Sequence, residues 1–191
     1  MLGLYEISTK SATMLRLIGP FRISGNGSFA DPRFLIYKRI TGLEWDRAGR
    51  FEGEPHLTTV GGRDLVFHGG TGFKFTRFNG EVIEPRTMRT DGGSVPRLFW
   101  SLPGLDPWSF MPAFLIHDWI YMVKHCEPTV WTFEFANLVM AEAMYTMMLS
   151  GTVTMDWRVV EVVYRAVSSP LGRRVWDRPW TVEECAATLS P

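Results

Sequence analysis

The residues of this chain best suited to chemistry fall in two stretches, Asp91-Gly-Gly-Ser-Val-Pro96 and His117-Asp118-Trp-Ile-Tyr121. The His-Asp pair sits within an apolar segment, Phe114 to Val123, where burial costs several kcal/mol unless each group is hydrogen-bonded, paired or bound to a metal. On a helix His117 and Tyr121 are four residues apart and Asp118 and Tyr121 three, so the phenol can lie over either. His117 and Asp118 diverge by about 100° around the axis and form no dyad with each other. A catalytic centre therefore needs a group from elsewhere. Asp91 or Ser94 is the natural donor, on a turn that Gly92-Gly93 lets approach a ligand closely. Two chemistries fit: a divalent metal between Asp91, His117 and Asp118, or His117 as general base toward Ser94 or a water. The structural alternative has His117 and Asp118 pinning the Asp91–Ser94 turn to the helix by hydrogen bonds. That alternative is preferred here, so no cofactor and no metal is expected.

The elements that must position these residues change period halfway along the chain. Arg33–Ile40, Asp64–His68 and Thr71–Phe78 are rich in β-branched and aromatic residues and predict strands. Asn79-Gly80 between Phe78 and Glu81 predicts a hairpin with a type I′ turn, which needs positive φ at both central residues. A small antiparallel sheet across residues 57 to 84 follows. Beyond it, Pro112 opens a helix apolar on almost every face, with further helices near Thr132 to Met148 and Asp156 to Val167, the last ended by Pro170-Leu-Gly172. Arg158, Glu161 and Arg165 make a polar stripe on that third helix. The sum is an α+β domain over residues 31–170, its sheet in the N-terminal half packed against about three helices. Residues 1–30 are expected to be an arm, and 171–191 a docking tail packed on the domain or a neighbouring subunit.

These motifs resemble a family. Asp91-Gly-x-Ser-x-Pro96 with a following Trp, then His117-Asp118-x-x-Tyr121, then Ala136-Asn137-x-x-Met140-x-Glu-Ala-Met144, are similar to family 1353 among the domains of unknown function, common in bacteriophages and prophages. The resemblance covers roughly residues 55 to 180 and implies a phage setting; it also implies an Asp where this chain has Asn137. A metal held through that carboxylate would lose a charged ligand here. The His-Asp-x-x-Tyr helix is similar as well to the active-site helix of secreted phospholipases A2, but Ile120 stands where that family has Cys.

Composition narrows the partners. Twenty Lys plus Arg balance twenty Asp plus Glu over 191 residues, so no basic field draws in nucleic acid. Cys126 and Cys185 are too few for a disulfide framework, and a bond between them is not required of a chain made in a reducing host cytoplasm. The start lacks the basic region and apolar run of a signal peptide, and His117-Asp118 interrupts the one apolar stretch long enough to suggest a membrane span. His125, at a helix end, is expected to favour its cationic form. His56 and His68 fall in or beside the sheet and lack metal-ligand spacing with Cys. Eight Trp among so many aromatics suggest contact surface, with Trp157, Trp176 and Trp180 the expected partner-binding residues. The expected function is that of a phage virion-associated or assembly protein, present in the virion and bound to other phage structural proteins or to copies of itself. The alternative is a metal-assisted or His-based hydrolase of peptidoglycan or lipid, used in entry or lysis.

Overall fold

The computed structural model describes residues 48–60, 64–90, 109–154 and 156–189. The expected arm at 1–30, the strand at 33–40, and Asp91 and Ser94 lie outside the described residues. Among the described residues six short strands precede five helices: β1 Arg50–Glu52, β2 Leu57–Val60, β3 Asp64–Phe67, β4 Lys74–Thr76, β5 Val82–Ile83, β6 Met88–Thr90, α1 Met111–Cys126, α2 Phe133–Leu149, α3 Trp157–Val167, α4 Pro170–Asp177 and α5 Val182–Leu189. This is the α+β arrangement that the change of period predicts.

The strands make two antiparallel sheets rather than one. Their orders are β1-β4-β5 and β2-β3-β6, so the chain leaves the first sheet, builds most of the second, and returns. Phe75, in the middle of β4, opposes Phe51 on one side and Ile83 on the other. Phe73, Phe75 and Ile83 are buried with Phe67 of β3 in one core, and the Phe67 and Phe73 rings meet edge-on at 5.6 Å, which ties the two sheets together.

The β4–β5 turn is not the two-residue turn expected at Asn79-Gly80. Gly80 N–H donates to Arg77 O (3.0 Å) and Arg77 N–H to Glu81 O (2.8 Å), and only Gly80 has positive φ, at 89°. These bonds define a three-residue loop, a type I turn closed by a left-handed glycine. Asn79 keeps negative φ, and its side-chain oxygen accepts from Glu81 N–H (3.0 Å). That local bond replaces the left-handed backbone that a type I′ turn would require of Asn79.

One buried ion pair joins this turn to the helices. Glu142 of α2 is 2% exposed, and its two oxygens accept from Arg77 Nε (2.9 Å) and from Phe78 N–H (2.7 Å). Arg77 also donates to Glu81 (2.8 Å), and its guanidinium lies 5.0 Å from the centre of the Phe135 ring. Each polar group in this knot has a partner, the condition under which buried charge is tolerated.

The helices pack around α1, whose Ala113, Phe114, Leu115, Ile116 and Ile120 are essentially without exposed surface. Alongside it lies α2, begun by Thr132, whose hydroxyl accepts from Phe135 N–H (3.1 Å). The α2 interior combines the small Ala136, Ala141 and Ala143 with Val139, Met140, Met144, Met147 and Met148, all buried. Asp156 caps α3, the polar stripe of which runs as expected, with Arg158 and Arg165 exposed. Pro170-Leu-Gly172 does more than end α3: Ser169 caps a new helix there, with Pro170 in its first turn. Gly172 permits the tight junction, since a Cβ at that position would fall 2.0 Å from Val167 O.

The tail is thus two helices, and it is bonded to the domain. A disulfide joins Cys126, the last residue of α1, to Cys185 of α5, with Cα atoms 5.5 Å apart across 59 positions of sequence. The sequence did not require this bond; folding brings together positions whose spacing carried no such signal. Among the described residues no helix is long and apolar enough to cross a membrane.

The Arg77–Glu142 knot yields a measurable expectation. Glu142→Ala leaves Arg77 with Glu81 as its remaining carboxylate partner and Phe78 N–H without its acceptor, and should lower unfolding stability by about 2–3 kcal/mol in denaturant titration. A loss below about 1 kcal/mol would class the pair with exposed salt bridges.

Candidate functional site

The motif residues of α1 point in three directions from one helix. His117 faces α2: it is 3% exposed, and its Nε2 lies 3.2 Å from Oδ1 of Asn137, itself 1% exposed. Asp118 faces the sheet, where its Oδ2 accepts from the Thr90 hydroxyl at the end of β6 (2.5 Å). Tyr121, one turn beyond His117, lays its ring against the imidazole with centroids 4.5 Å apart. Its other side meets Trp176 of α4 nearly perpendicularly at 4.9 Å. Of the two placements the sequence left open to Tyr121, over His117 or over Asp118, the structure has the first, and His117 and Asp118 diverge as helix geometry requires.

Electrostatics follows from burial. Loss of water around His117 pushes its pKa down to about 4; the hydrogen bond to Asn137 opposes this but does not outweigh it. The imidazole is therefore neutral at physiological pH, and with Asn137 presenting its carbonyl oxygen, Nε2 carries the proton. Burial also raises Tyr121 above the ordinary phenol range; the Asp118 carboxylate adds to the rise and Arg173 works against it. The phenol remains protonated. A general base must accept a charge as it works, and His117 would do so beside a neutral amide in an apolar setting, a poor match to neutral pH.

The other predicted residues separate further. Asp91 and Ser94 lie outside the described residues, so the proposed metal set of Asp91, His117 and Asp118 is described only in its last two members. Among the described residues no three His, Cys, Asp or Glu side chains lie close enough to hold a metal ion. His56 and His68 pair across the β2–β3 sheet with ring centroids 5.0 Å apart, and His68 Nε2 lies 2.8 Å from the Thr58 hydroxyl. His125 departs from the cationic expectation. It stacks flat on Trp180 at 4.6 Å, and burial, together with Lys124 and Arg178, holds its pKa down to about 4 despite Glu184.

The tryptophans expected at a partner interface are mostly committed within the chain. Trp176 is 5% exposed and belongs to the core between Tyr121 and Phe133, while Lys124 Nζ donates to its carbonyl oxygen. Trp180 covers His125, and Trp157 is half-buried at the start of α3. Among the described residues the large apolar side chains that do face solvent are aliphatic and spread over the chain, from Val60, Val82, Val130 and Leu149 to Leu171 at 60%, Val175 at 45% and Val182 at 82% exposure in the tail.

Two groups with a place in this region were missed from sequence. Thr90 gave no signal, being an ordinary residue at the end of a strand. Glu142 stood within the Ala136-to-Met144 motif, and a carboxylate among Met and Ala on an apolar helix was the clue that a buried cation had to reach it. The amide nitrogen of Asn137 is buried without a hydrogen-bond partner, whereas its oxygen meets His117.

The depressed His117 pKa fixes a pH dependence. Between the unfolded value of 6.5 and the folded value of about 4, the unfolded chain binds more protons, so stability falls as pH is lowered through that window and levels off below it. His117 alone accounts for about 3 kcal/mol of this loss, and His125 acts in the same direction. Thermal melts from pH 7 to 4 should show the decline, and His117→Gln should lessen it, leaving the part that His125 contributes. Asn137→Asp should place a counter-charge beside the ring and raise the His117 pKa by about 1–3 units in an NMR titration. A ring titrating near 6.5 in the native protein would mean that water reaches it.

No curated protein and no solved structure matches the chain. Residues 71–180, more than half of its length, match the family described as protein of unknown function DUF1353. That stretch runs from β4 to Trp180 and takes in the Arg77–Glu142 knot, the His117–Asn137 pair and the Asp118–Thr90 bond, and it places this chain in the DUF1353 family.

Proposed function

We propose that this chain is a phage-encoded virion-associated or assembly protein that works through protein–protein contacts. The observation that carries the reading is the division of labour on α4. Its inner face anchors Trp176 in the core, while Leu171 and Val175, one turn apart, present apolar surface outward. Support also comes from the inward commitment of the motif residues, since His117 and Asp118 spend their polar atoms on Asn137 and Thr90. The partners are other phage structural proteins or further copies of the chain. The phage setting itself rests on the motif resemblance given above.

The hydrolase reading retains one favourable observation, the unpartnered Asn137 amide nitrogen beside a neutral His117. Mass spectrometry of purified particles separates the two. The chain should be found in particles, and the double substitution Leu171→Asp, Val175→Asp should strongly reduce its incorporation while leaving its melting temperature close to the parent's, since exposed positions contribute within about 0.5 kcal/mol. Absence from particles, combined with release of peptidoglycan fragments or fatty acids by the purified chain and loss of that release in His117→Gln, would establish the enzyme instead.

A further inference from the structure

We propose that α5 is a redox-controlled strap: the Cys126–Cys185 disulfide holds it against α1 and β6, and reduction releases it while the rest of the fold persists. Apart from the disulfide, α5 is only shallowly attached. It is eight residues long, none of them fully buried, and an isolated helix of that length is marginal in water. Its own polar bonds are local and bind it to nothing else. Thr181 Oγ1 accepts from Glu184 N–H (3.1 Å), Thr181 N–H donates to Glu184 Oε2 (2.8 Å), and Arg178 pairs with Glu184 (3.0 Å), all exposed. Its packing on the domain is shallow: it lies along β6 and α1 with Glu184, Cys185, Thr188 and Leu189 only half-buried, and Trp180 stacks on His125 just before the helix.

That stack is itself costly. His125 Nε2 and Trp180 Nε1 are both buried there without hydrogen-bond partners, so opening the strap returns two polar groups to water. The preceding helix, by contrast, is fixed by Trp176 in the core, which sets the boundary of the mobile unit after Asp177. Cys126 and Cys185 are both half-buried, so the sulfurs are not sealed within the core. The strap lies on β6, the strand whose Thr90 holds Asp118, and its release uncovers that edge as well as the His125 face of α1.

The exchange balances with a dithiol reductant. One thiolate of the reductant attacks a sulfur of the Cys126–Cys185 bond, which breaks as a mixed disulfide forms. The second reductant thiolate displaces the protein sulfur from that mixed disulfide, so the reductant leaves as its own disulfide. Cys126 and Cys185 take up protons as thiols.

Hydrogen exchange on the full chain, oxidised and then treated with dithiothreitol, tests the idea. Amides of residues 182–189 should lose at least about tenfold in protection on reduction, while those of α1 to α4 keep theirs. The Cys126→Ala, Cys185→Ala double variant should show the released pattern without reductant. Unchanged protection of α5 in either case means that packing alone holds it, and overturns the proposal. So does loss of protection throughout α1 to α4, which would make the bond a staple for the whole domain, or a disulfide that resists the dithiol until the protein is denatured.

Discussion

The structure depends on α1 having no side that faces water. A helix apolar on almost every face must be wrapped, and most polar groups on it find a partner at the place where they emerge, His125 Nε2 being the exception. Those groups allot the neighbours. His117 is answered by Asn137 of α2, Asp118 by Thr90 of β6, Lys124 by the backbone of Trp176 on α4, and Cys126 by Cys185 of α5. Apolar burial supplies the drive to cover α1, while this series of directional contacts fixes which element covers which face.

Two buried polar groups show how differently that requirement is met. On Glu142 a guanidinium and a backbone N–H converge, one on each of its two oxygens. His117 has only a neutral amide within reach, so it gives up its charge. The first arrangement fastens the β4–β5 hairpin to α2 and the second fastens α1 to α2. Both act as fasteners between elements, with opposite electrostatics.

Much of this was legible in the sequence, for reasons that can be located. The apolar run after Pro112 and the Thr132 cap fix α1 and α2, because their information is local. The divergence of His117 and Asp118 follows from helical periodicity alone, whereas periodicity leaves Tyr121 over either residue and the packing selects His117. The separation into two sheets was hidden because β1 pairs with β4 across β2 and β3, and strands of two to four residues carry little pattern. Pro170 read as a stop when it was a start, since proline at a first helical turn and proline past a helix end look alike without the Ser169 cap geometry. The disulfide and the Glu142–Arg77 pair span 59 and 65 positions, beyond the reach of any local signal. Trp176 read as surface because nothing in its basic, aromatic neighbourhood shows that α4 turns it inward.

The makeup of α2 has a further consequence. Its alanines set how near other elements come, and its methionines fill what space is left, with long unbranched side chains that settle into irregular gaps. Spacer positions and filler positions therefore respond to mutation in opposite ways. Leucine in place of Met140 or Met144 should be absorbed by small rotamer changes, whereas enlarging Ala136 or Ala143 forces the backbones apart and with them the His117–Asn137 contact. The fold is thus tolerant in its filling and strict in its spacing, and the route by which a distant substitution reaches the motif residues runs through the smallest side chains of the core.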